Sequence, residues 1–336
     1  MSTAILEERP ARRPADSLTI DETLAFLAEP REVAICGHVN PDGDSLGSAL
    51  ALAALLQAKG HRVTKLLARG EAAPKLYDFL ADYDFIPATA YEGTPDLFVA
   101  VDLPNRERFG DAASVFDRSG DTLVIDHHPD YDGFGHHYLG DITASATGLI
   151  IWRLIAASGV PITRAMAEYC YVALVTDTGR FSFQNTTAEA HAAASEMMLA
   201  GVEPAVICTR IYDSKSLAAL QLDERLISRI AFASDGRVVY SWVTEADFRE
   251  LGVLRDETDG LPNILRSIEG SEVAILLREE SGRIRVNLRA KGSCDVGEFA
   301  RRFDGGGHKA AAGFTLNVTL DEAKTLVLEE ANRLIC

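Results

Sequence analysis

Short apolar runs alternate with helical patterns along the first two hundred residues. Apolar runs rich in β-branched residues predict strands at 33–36, 62–67, 97–101 and 123–125. Thr19-Ile20-Asp21-Glu22 is a capping box that predicts a short helix ending at Pro30, and longer helices are predicted at 46–59, 146–158, 164–175 and 187–199. Because strands that alternate with helices pair in parallel under helical cover, we expect an α/β domain with a mostly parallel sheet.

The pattern changes near residue 204. A charged, proline-rich stretch predicts a flexible tail over 1–16, followed by the α/β domain over 17–203. Residues 204–230 are amphipathic and predict a helical linker. Beyond it, strands at 238–243, 272–277 and 284–288, with turns at Asp235-Gly236 and Ser281-Gly282, predict a smaller α+β domain over 231–336.

Charge restricts the partners of the protein. The chain of 336 residues has 50 acidic and 33 basic residues, a formal net charge of -17. Such a surface repels long nucleic acid, so we expect no long nucleic-acid partner, whereas a small anionic substrate is compatible with local cations. The five cysteines show no C-x-x-C spacing, which argues against a disulfide framework and a structural zinc site.

The apolar segments favour a cytoplasmic protein with no membrane attachment. The longest of them, 46–58, is interrupted by polar residues and is too short to span a bilayer. Charged residues near the N-terminus are followed by no apolar stretch of the kind found in secretory signals.

Histidine and aspartate residues cluster where the predicted strands end. His38, Asp42 and Asp44 follow the first strand, and Asp102 closes the strand at 97–101. Asp126-His127-His128 follow the strand at 123–125, and Asp177 lies where a predicted helix ends. Parallel sheets bind ligands at the carboxyl ends of their strands, and crowded carboxylates need neutralising cations. This pattern predicts a site for two hard divalent cations.

Each of these motifs also has a purely structural interpretation. Asp42 and Asp44 could simply cap the helix at 46–59, and Asp102 could belong to a turn with Pro104. The adjacent His127 and His128 are harder to explain structurally. By contrast, we interpret His136-His137 as a surface pair in a glycine-rich loop, and we expect His61 and His191 to have no role in the site.

A glycine-rich segment near the C-terminus is the second candidate site. Gly305-Gly306-Gly307-His308 precedes small residues, and glycines let backbone N–H groups approach an anion, with added support from any helix that begins there. Arg285, Arg289 and Lys291 lie on or just after the preceding strand and could neutralise a phosphate. The alternative is a plain flexible turn.

Five motifs in this order resemble the DHH phosphoesterase family, closest to its nanoRNase and 3'-phosphoadenosine 5'-phosphate (pAp) phosphatase branch with a DHH-associated C-terminal domain. They are the segments His38 to Ser45, Val101-Asp102, Asp126-His127-His128, Thr176-Asp177-Thr178-Gly179 and the late Gly-Gly-Gly-His. Two positions depart from the family pattern. Asp304 stands where a first glycine is usual, and Ala146-Thr147 replaces Ser-Thr.

The resemblance implies two Mn²⁺ ions, with Mg²⁺ as the alternative, in a cleft between the domains. One ion would be held by His38, Asp42 and Asp102, and the other by Asp44, Asp102, His127 and Asp177, with Asp102 bridging. It also implies that His128 faces the scissile phosphate and that Asp126 orients its neighbours. Together with the basic residues, it implies a substrate-binding set in the second domain: Arg285, Arg289, Gly305, Gly306, Gly307 and His308.

The implied activity is a metal-dependent phosphodiesterase. Its substrates would be short oligonucleotides and linear or cyclic dinucleotides, hydrolysed to mononucleotides by two-metal in-line attack of water. A pAp phosphatase and a noncatalytic nucleotide sensor are the alternatives, and a pyrophosphatase of the same superfamily would lack the late Gly-Gly-Gly-His segment. Helices of the first domain could pair two copies as a homodimer, and the connector could hinge.

Overall fold

The computed structural model describes residues 17–70, 73–258 and 260–335, with the backbone alone described for Arg255, Asp256, His308, Leu334 and Ile335. The chain divides into two compact units between Ile207 and Cys208. This division falls within the segment predicted as a linker. The predicted tail over 1–16 lies outside the described residues.

The first unit is built on a six-stranded parallel sheet with the order β3-β2-β1-β4-β5-β6. Its central strands are buried nearly throughout, as expected where helices or loops cover both faces. The strands are β1 Glu32–Cys36, β2 Arg62–Leu67, β3 Ile86–Pro87, β4 Leu97–Val101, β5 Asp121–Asp126 and β6 His137–Gly140. The helices are α1 Ile20–Phe26, α2 Gly43–Ala58, α3 Ala113–Arg118, α4 Thr147–Ala157, α5 Arg164–Asp177 and α6 Ala188–Leu199. The division between the units falls inside the next helix, α7 Pro204–Tyr212.

The α/β prediction is confirmed, with corrections at three elements. Strand β3 has only two residues and shows no periodicity, so it was not predicted. Strand β6 was interpreted as loop, but Leu123 of β5 pairs in register with His137, which opens β6. Helix α2 begins three residues earlier than predicted, because the Asp42 carboxylate accepts hydrogen bonds from the N–H groups of Asp44 and Ser45, each at 3.1 Å.

The second unit is a mixed sheet with the order β11-β12-β10-β9-β8-β7, in which β8 and β9 pair in parallel and the other neighbours are antiparallel. The strands are β7 Ala231–Ala233, β8 Val238–Val243, β9 Val273–Glu280, β10 Arg283–Ala290, β11 Gly306–His308 and β12 Ala311–Leu316. The helices are α8 Leu217–Ser228, α9 Glu245–Leu251, α10 Leu261–Arg266, α11 Val296–Arg301 and α12 Leu320–Ile335.

Two apolar clusters flank this second sheet. One joins α8 and α10 to the β8–β9 side through residues such as Leu222, Leu226 and Leu276. The other joins α11 and α12 to Ile275, Val286 and neighbouring residues of the opposite face. Helix α8, expected as part of a linker, therefore contributes to the core of the second unit, and residues 213–216 separate it from α7.

Candidate metal centre

The first part of the centre lies in the turn between β1 and α2. Strand β1 ends at Cys36, and the following turn brings His38 to the carboxyl edge of the sheet. Asp42 is the N-cap of α2, and Asp44 lies in its first turn. A Cβ at Gly37 would lie 1.8 Å from Ser45 Oγ, so a larger residue there would displace the buried Ser45 side chain.

Asp102 lies between two imidazoles. It follows β4 in the left-handed region with φ 55°, an uncommon conformation for a residue other than glycine. Its Oδ2 is 3.3 Å from His38 Nε2, and its Oδ1 is 3.7 Å from His127 Nε2. Each carboxylate oxygen therefore faces a different imidazole, the arrangement that a carboxylate shared by two cations requires.

Asp44 is held by the N-terminus of α4. Ala146, the N-cap of α4, has no capping side chain, and the Asp44 carboxylate instead accepts from Thr147 N at 2.7 Å and Gly148 N at 2.9 Å. Thr147 Oγ1 also donates to Asp102 Oδ1 at 3.2 Å. The Thr of the altered Ala146-Thr147 pair thus contacts two of the predicted metal ligands.

Asp177 completes the cluster from the last residue of α5. Its Oδ2 lies 3.8 Å from His127 Nε2 and accepts a hydrogen bond from Asn185 Nδ2 at 3.0 Å. Asp44 Oδ2 lies 3.7 Å from the same His127 nitrogen. The sequence prediction did not include Asn185, which stands eight residues after Asp177 in a segment without a recognisable motif.

The ligand atoms form three groups whose members lie within 4.8 Å of one another: His38, Asp42 and Asp102; Asp44, His127 and Asp177; and Asp102, His127 and His128. The first group contains the three ligands predicted for one ion, and the second contains three of the four predicted for the other. Carboxylates with an imidazole suit a hard divalent cation, and the described sets contain no thiolate. Mostly buried His and Asp clusters of this kind are typical of a divalent metal site.

Electrostatics supports cation binding at this cluster. Burial alone lowers the pKa of His38, but hydrogen bonds to Asp102 and Asp42 raise it to about 9. Burial also opposes the charge of His127, yet the carboxylates of Asp177, Asp44 and Asp102 raise its pKa to about 10. The pKa of Asp44 rises well above its usual value, first through burial and then through repulsion from Asp102. Positive charge must therefore enter the cluster, as protons or as cations.

His128 has the opposite electrostatic character. Its Nδ1 lies 2.7 Å from Asp126 Oδ1, and Asp126 is completely buried. Burial lowers the pKa of His128 to about 3, so its imidazole is neutral at physiological pH. A neutral imidazole that donates from Nδ1 keeps a lone pair on Nε2.

The predicted substrate residues lie on one sheet of the second unit. Burial alternates along β10, so Arg285, Asn287 and Arg289 share the face opposite Val286 and Leu288. Antiparallel register places Ala311 beside both Arg289 and the His308 backbone. The side chain of His308 lies outside the described part of the chain. Lys291 donates to Ile268 O at 2.6 Å, a structural contact.

The glycine-rich segment forms a hairpin of β11 and β12, which corrects the idea that a helix beginning there would add its dipole. A Cβ at Gly307 would lie 2.5 Å from Ala311 O, and its φ of +134° disfavours other residues, so close strand packing requires glycine. Asp304, where the family pattern has glycine, adopts φ 55°, a left-handed conformation that aspartate tolerates.

The remaining histidines lie apart from the centre. His136 and His137 pair with Asp121 at 3.0 and 3.3 Å, at the start of β5, whereas Asp126 ends that strand. His61 is buried and contacts Leu27 O, and His191 stacks on Phe181.

Comparisons with known proteins agree with this architecture. Residues 32–174 match the DHH family, N-terminal domain, and residues 235–335 match the DHHA1 domain. The chain is 30% identical over 312 residues to the bifunctional oligoribonuclease and PAP phosphatase NrnA of Thermus thermophilus, covering 92% of this chain and 91% of the relative. The chain belongs to the DHH family. It is a DHH-family phosphoesterase of the NrnA branch.

Two further similarities extend over nearly the whole chain. The NrnA protein of Bacillus subtilis is 28% identical, covering 87% of this chain and 91% of that one. A crystal structure of an exopolyphosphatase-related protein from Bacteroides fragilis superposes with a TM-score of 0.85 at 25% identity, covering 94% and 97%. No helix among the described residues of this DHH-family chain combines the length and apolar character that a membrane crossing needs.

Proposed function

We propose that this protein is a divalent-metal-dependent phosphodiesterase that hydrolyses short oligonucleotides and linear or cyclic dinucleotides to mononucleotides. The observation that best supports this proposal is the position of the Asp102 carboxylate, whose two oxygens face His38 and His127 at 3.3 and 3.7 Å. One shared carboxylate between two ligand groups is the arrangement of a dinuclear phosphoesterase centre. The NrnA relatives, which are named bifunctional oligoribonucleases and PAP phosphatases, support the nucleotide substrate class.

The residues fit two Mn²⁺ ions, with Mg²⁺ as the alternative metal. His38, Asp42 and Asp102 would hold one ion, and Asp44, Asp102, His127 and Asp177 the other. When bound, the pair would lower the pKa of water and stabilise charge on the attacking and leaving oxygens. We assign catalysis to residues 17–203 and substrate binding to residues 231–336.

His128 and Asp126 move a proton in this proposal. Asp126 accepts the Nδ1 hydrogen of His128 and fixes the ring, so that Nε2 presents its lone pair. A water oxygen attacks phosphorus in line with the departing nucleotide oxygen, and Nε2 accepts a proton of that water and releases it to solvent. The bond from phosphorus to the nucleotide oxygen breaks, and that oxygen takes up a proton from solvent. Thr147 Oγ1 donates a 3.2 Å hydrogen bond to Asp102 Oδ1 and so fixes the orientation of the Asp102 carboxylate.

The late arginines and glycines position the nucleotide in this proposal. Arg285 and Arg289 lie on one face of β10, and a guanidinium binds phosphate oxygens with two parallel hydrogen bonds. Gly305, Gly306 and Gly307 carry no side chains of their own that would keep a phosphate from the backbone N–H groups. His308 follows them in register with Ala311.

The test is turnover of three substrates: a diribonucleotide, pAp and a cyclic dinucleotide, each with Mn²⁺ and then with EDTA. We expect mononucleotide release from the diribonucleotide that stops on chelation and returns with Mn²⁺. Asp102→Asn should abolish it. Turnover that survives chelation, or an Asp102→Asn enzyme with full activity, would contradict the proposal.

A pAp phosphatase is the second candidate, because the curated relatives carry both activities in their names. The same ligands can serve a phosphomonoester, and release of inorganic phosphate from pAp would reveal it. A noncatalytic sensor is a third, disfavoured because every predicted ligand position is occupied by His or Asp. Binding of all three nucleotides without turnover of any would support the sensor.

A further inference from the structure

We infer that Arg108 binds a nonbridging phosphate oxygen of the substrate at the metal centre. The inference rests on the proposed function and adds a phosphate-binding residue contributed by the catalytic unit itself, six positions after Asp102. Its substrate group would be the scissile phosphate of a nucleotide, recognised by the planar guanidinium.

The backbone of Arg108 is fixed against the turn that carries the metal ligands. Its carbonyl oxygen accepts a hydrogen bond from Val39 N at 2.9 Å, and Val39 is the neighbour of His38. The next residue, Phe109, is completely buried and packs edge-on against Phe98 at 5.5 Å between ring centroids. An aromatic anchor on one side and a backbone hydrogen bond on the other therefore hold the position of Arg108.

The loop beyond Phe109 is equally constrained. Gly110 adopts φ +53°, and a Cβ there would lie 2.5 Å from Ala68 O. Asp111 N donates to that same Ala68 oxygen at 2.7 Å. The loop thus packs against the end of β2, and such support is what a pre-organised binding residue requires.

The guanidinium of Arg108 is available to a ligand. Within residues 17–70, 73–258 and 260–335, it makes no hydrogen bond or ion pair with the protein, although its residue is partly buried. Arg106, two residues earlier, shows the contrast: its guanidinium donates to both carboxylate oxygens of Asp117 and lies over the Phe116 ring.

The charge of Arg108 reaches the centre. Burial lowers the pKa values of His38 and His128, and the positive charge of Arg108 acts in the same direction on both. The 2.9 Å hydrogen bond from Val39 N to Arg108 O places the Arg108 backbone beside the turn of His38, which follows β1, whereas His128 follows β5. As negative charge develops on phosphate oxygens during attack, a cation held there stabilises it more than in water.

The experiment compares Arg108→Gln and Arg108→Lys with the matched control Arg106→Gln in the full-length, Mn²⁺-loaded protein. Three quantities are measured: kcat and KM on a diribonucleotide, inhibition by inorganic phosphate, and Mn²⁺ affinity by calorimetry. We expect Arg108→Gln to lower kcat/KM by about 10²- to 10³-fold and to weaken phosphate inhibition by about tenfold. Its Mn²⁺ affinity should stay within about threefold of wild type.

Arg108→Lys should recover part of the loss, since it restores charge but not the planar fork, and Arg106→Gln should stay within about threefold of wild type. Wild-type kcat/KM and phosphate inhibition in Arg108→Gln would overturn the inference. So would a loss confined to Mn²⁺ affinity, which would indicate a structural role.

If Arg108→Gln does not fold, the inference is tested with Arg108→Lys alone. A loss of tenfold or so in kcat/KM with intact Mn²⁺ affinity supports a phosphate contact, and equality with wild type overturns it. Failure of the proposed function can be distinguished from failure of the inference about Arg108. If wild type turns over no nucleotide, calorimetric binding of inorganic phosphate to Mn²⁺-loaded wild type and Arg108→Gln still tests the arginine.

Discussion

At the residue scale, the carboxylates and imidazoles of the centre have coupled protonation states. Four of the predicted ligands are carboxylates, and two imidazoles have their pKa values raised to about 9 and about 10 by those carboxylates against the effect of burial. A single substitution therefore changes the protonation of several groups together. Two predictions belong to this scale.

Metal affinity should rise with pH. His38 and His127 hold protons in the absence of a cation up to about pH 9 and about pH 10, and a metal ion needs the neutral imidazoles. A cation that binds below these values must displace protons, so its affinity should increase by about tenfold per pH unit for each proton released. Calorimetry of Mn²⁺ binding between about pH 6 and pH 8, in buffers of different ionisation enthalpy, measures both effects. A flat affinity without proton release would contradict the charge assignment.

Asp126→Asn should impair catalysis more than metal binding. The buried carboxylate accepts from His128 Nδ1 at 2.7 Å, and an amide can present its NH₂ group instead and reverse the tautomer. We expect kcat to fall by about 10- to 100-fold. Asp121→Asn is the matched control, since Asp121 lies on the same strand and also pairs with histidines, but at the opposite end. Its kcat should stay within about twofold of wild type. Equal effects of the two substitutions would argue against a role for Asp126 in orienting His128.

At the scale of elements, strand ends and helix starts position the ligands. Strand β1 leads into His38, β4 into Asp102 and β5 into Asp126, while the first turns of α2 and α4 meet at the Asp44 carboxylate. The segments that meet there are about a hundred residues apart in the chain. Packing between helices therefore matters for the geometry of the site.

Gly47→Ala should destabilise the first unit. Helix α2 packs closely on α5, and a Cβ at Gly47 would lie 2.5 Å from Tyr169 O and 3.1 Å from Ala173 N, which are backbone atoms that cannot move alone. We expect a loss of about 1–3 kcal/mol in the free energy of unfolding, measured by denaturant titration. Gly70→Ala is the control, because the nearest atom to its added Cβ is Thr89 Oγ1 at 4.0 Å. The control should change stability by less than about 0.5 kcal/mol. If both variants have the same free energy of unfolding, α2 and α5 can move apart without cost, which would contradict the prediction.

At the scale of the whole molecule, the net charge is the property that bears on substrate length. The net charge of -17 opposes the approach of a polyanion in proportion to the number of its phosphates, whereas a dinucleotide carries few. Salt screens the attraction between a local cation such as Arg289 and a phosphate, so this attraction extends only over a short distance.

Added salt should therefore reduce the preference for short substrates. We expect kcat/KM for a diribonucleotide to exceed that for a 24-nucleotide RNA by about tenfold or more at about 0.05 M salt. The ratio should fall toward about 0.3 M salt, because screening weakens the repulsion of the long strand. This trend is opposite to that of a protein that binds long nucleic acid through a basic surface. A ratio that grows with salt would indicate a local basic groove instead.

The sequence by itself determined the fold class and the predicted ligands. Hydrophobic periodicity marked β2 and β4 residue for residue, and the strand-end positions of His38, Asp102 and His127 followed from it, because side chains that follow parallel strands meet at one edge. Local turn chemistry also sufficed for α1, whose capping box is present in the structure.

Only the tertiary structure decided which groups support those ligands and which ones stay neutral. Asn185 and Thr147 reach the metal ligands from segments far away in the chain, and the hairpin at Gly307 depends on pairing with β12. The neutrality of His128 depends on burial, and the orientation of its ring depends on the Asp126 carboxylate. The physical reason is common to all of them: periodicity is a property of neighbours along the chain, whereas hydrogen bonding and desolvation depend on neighbours in space.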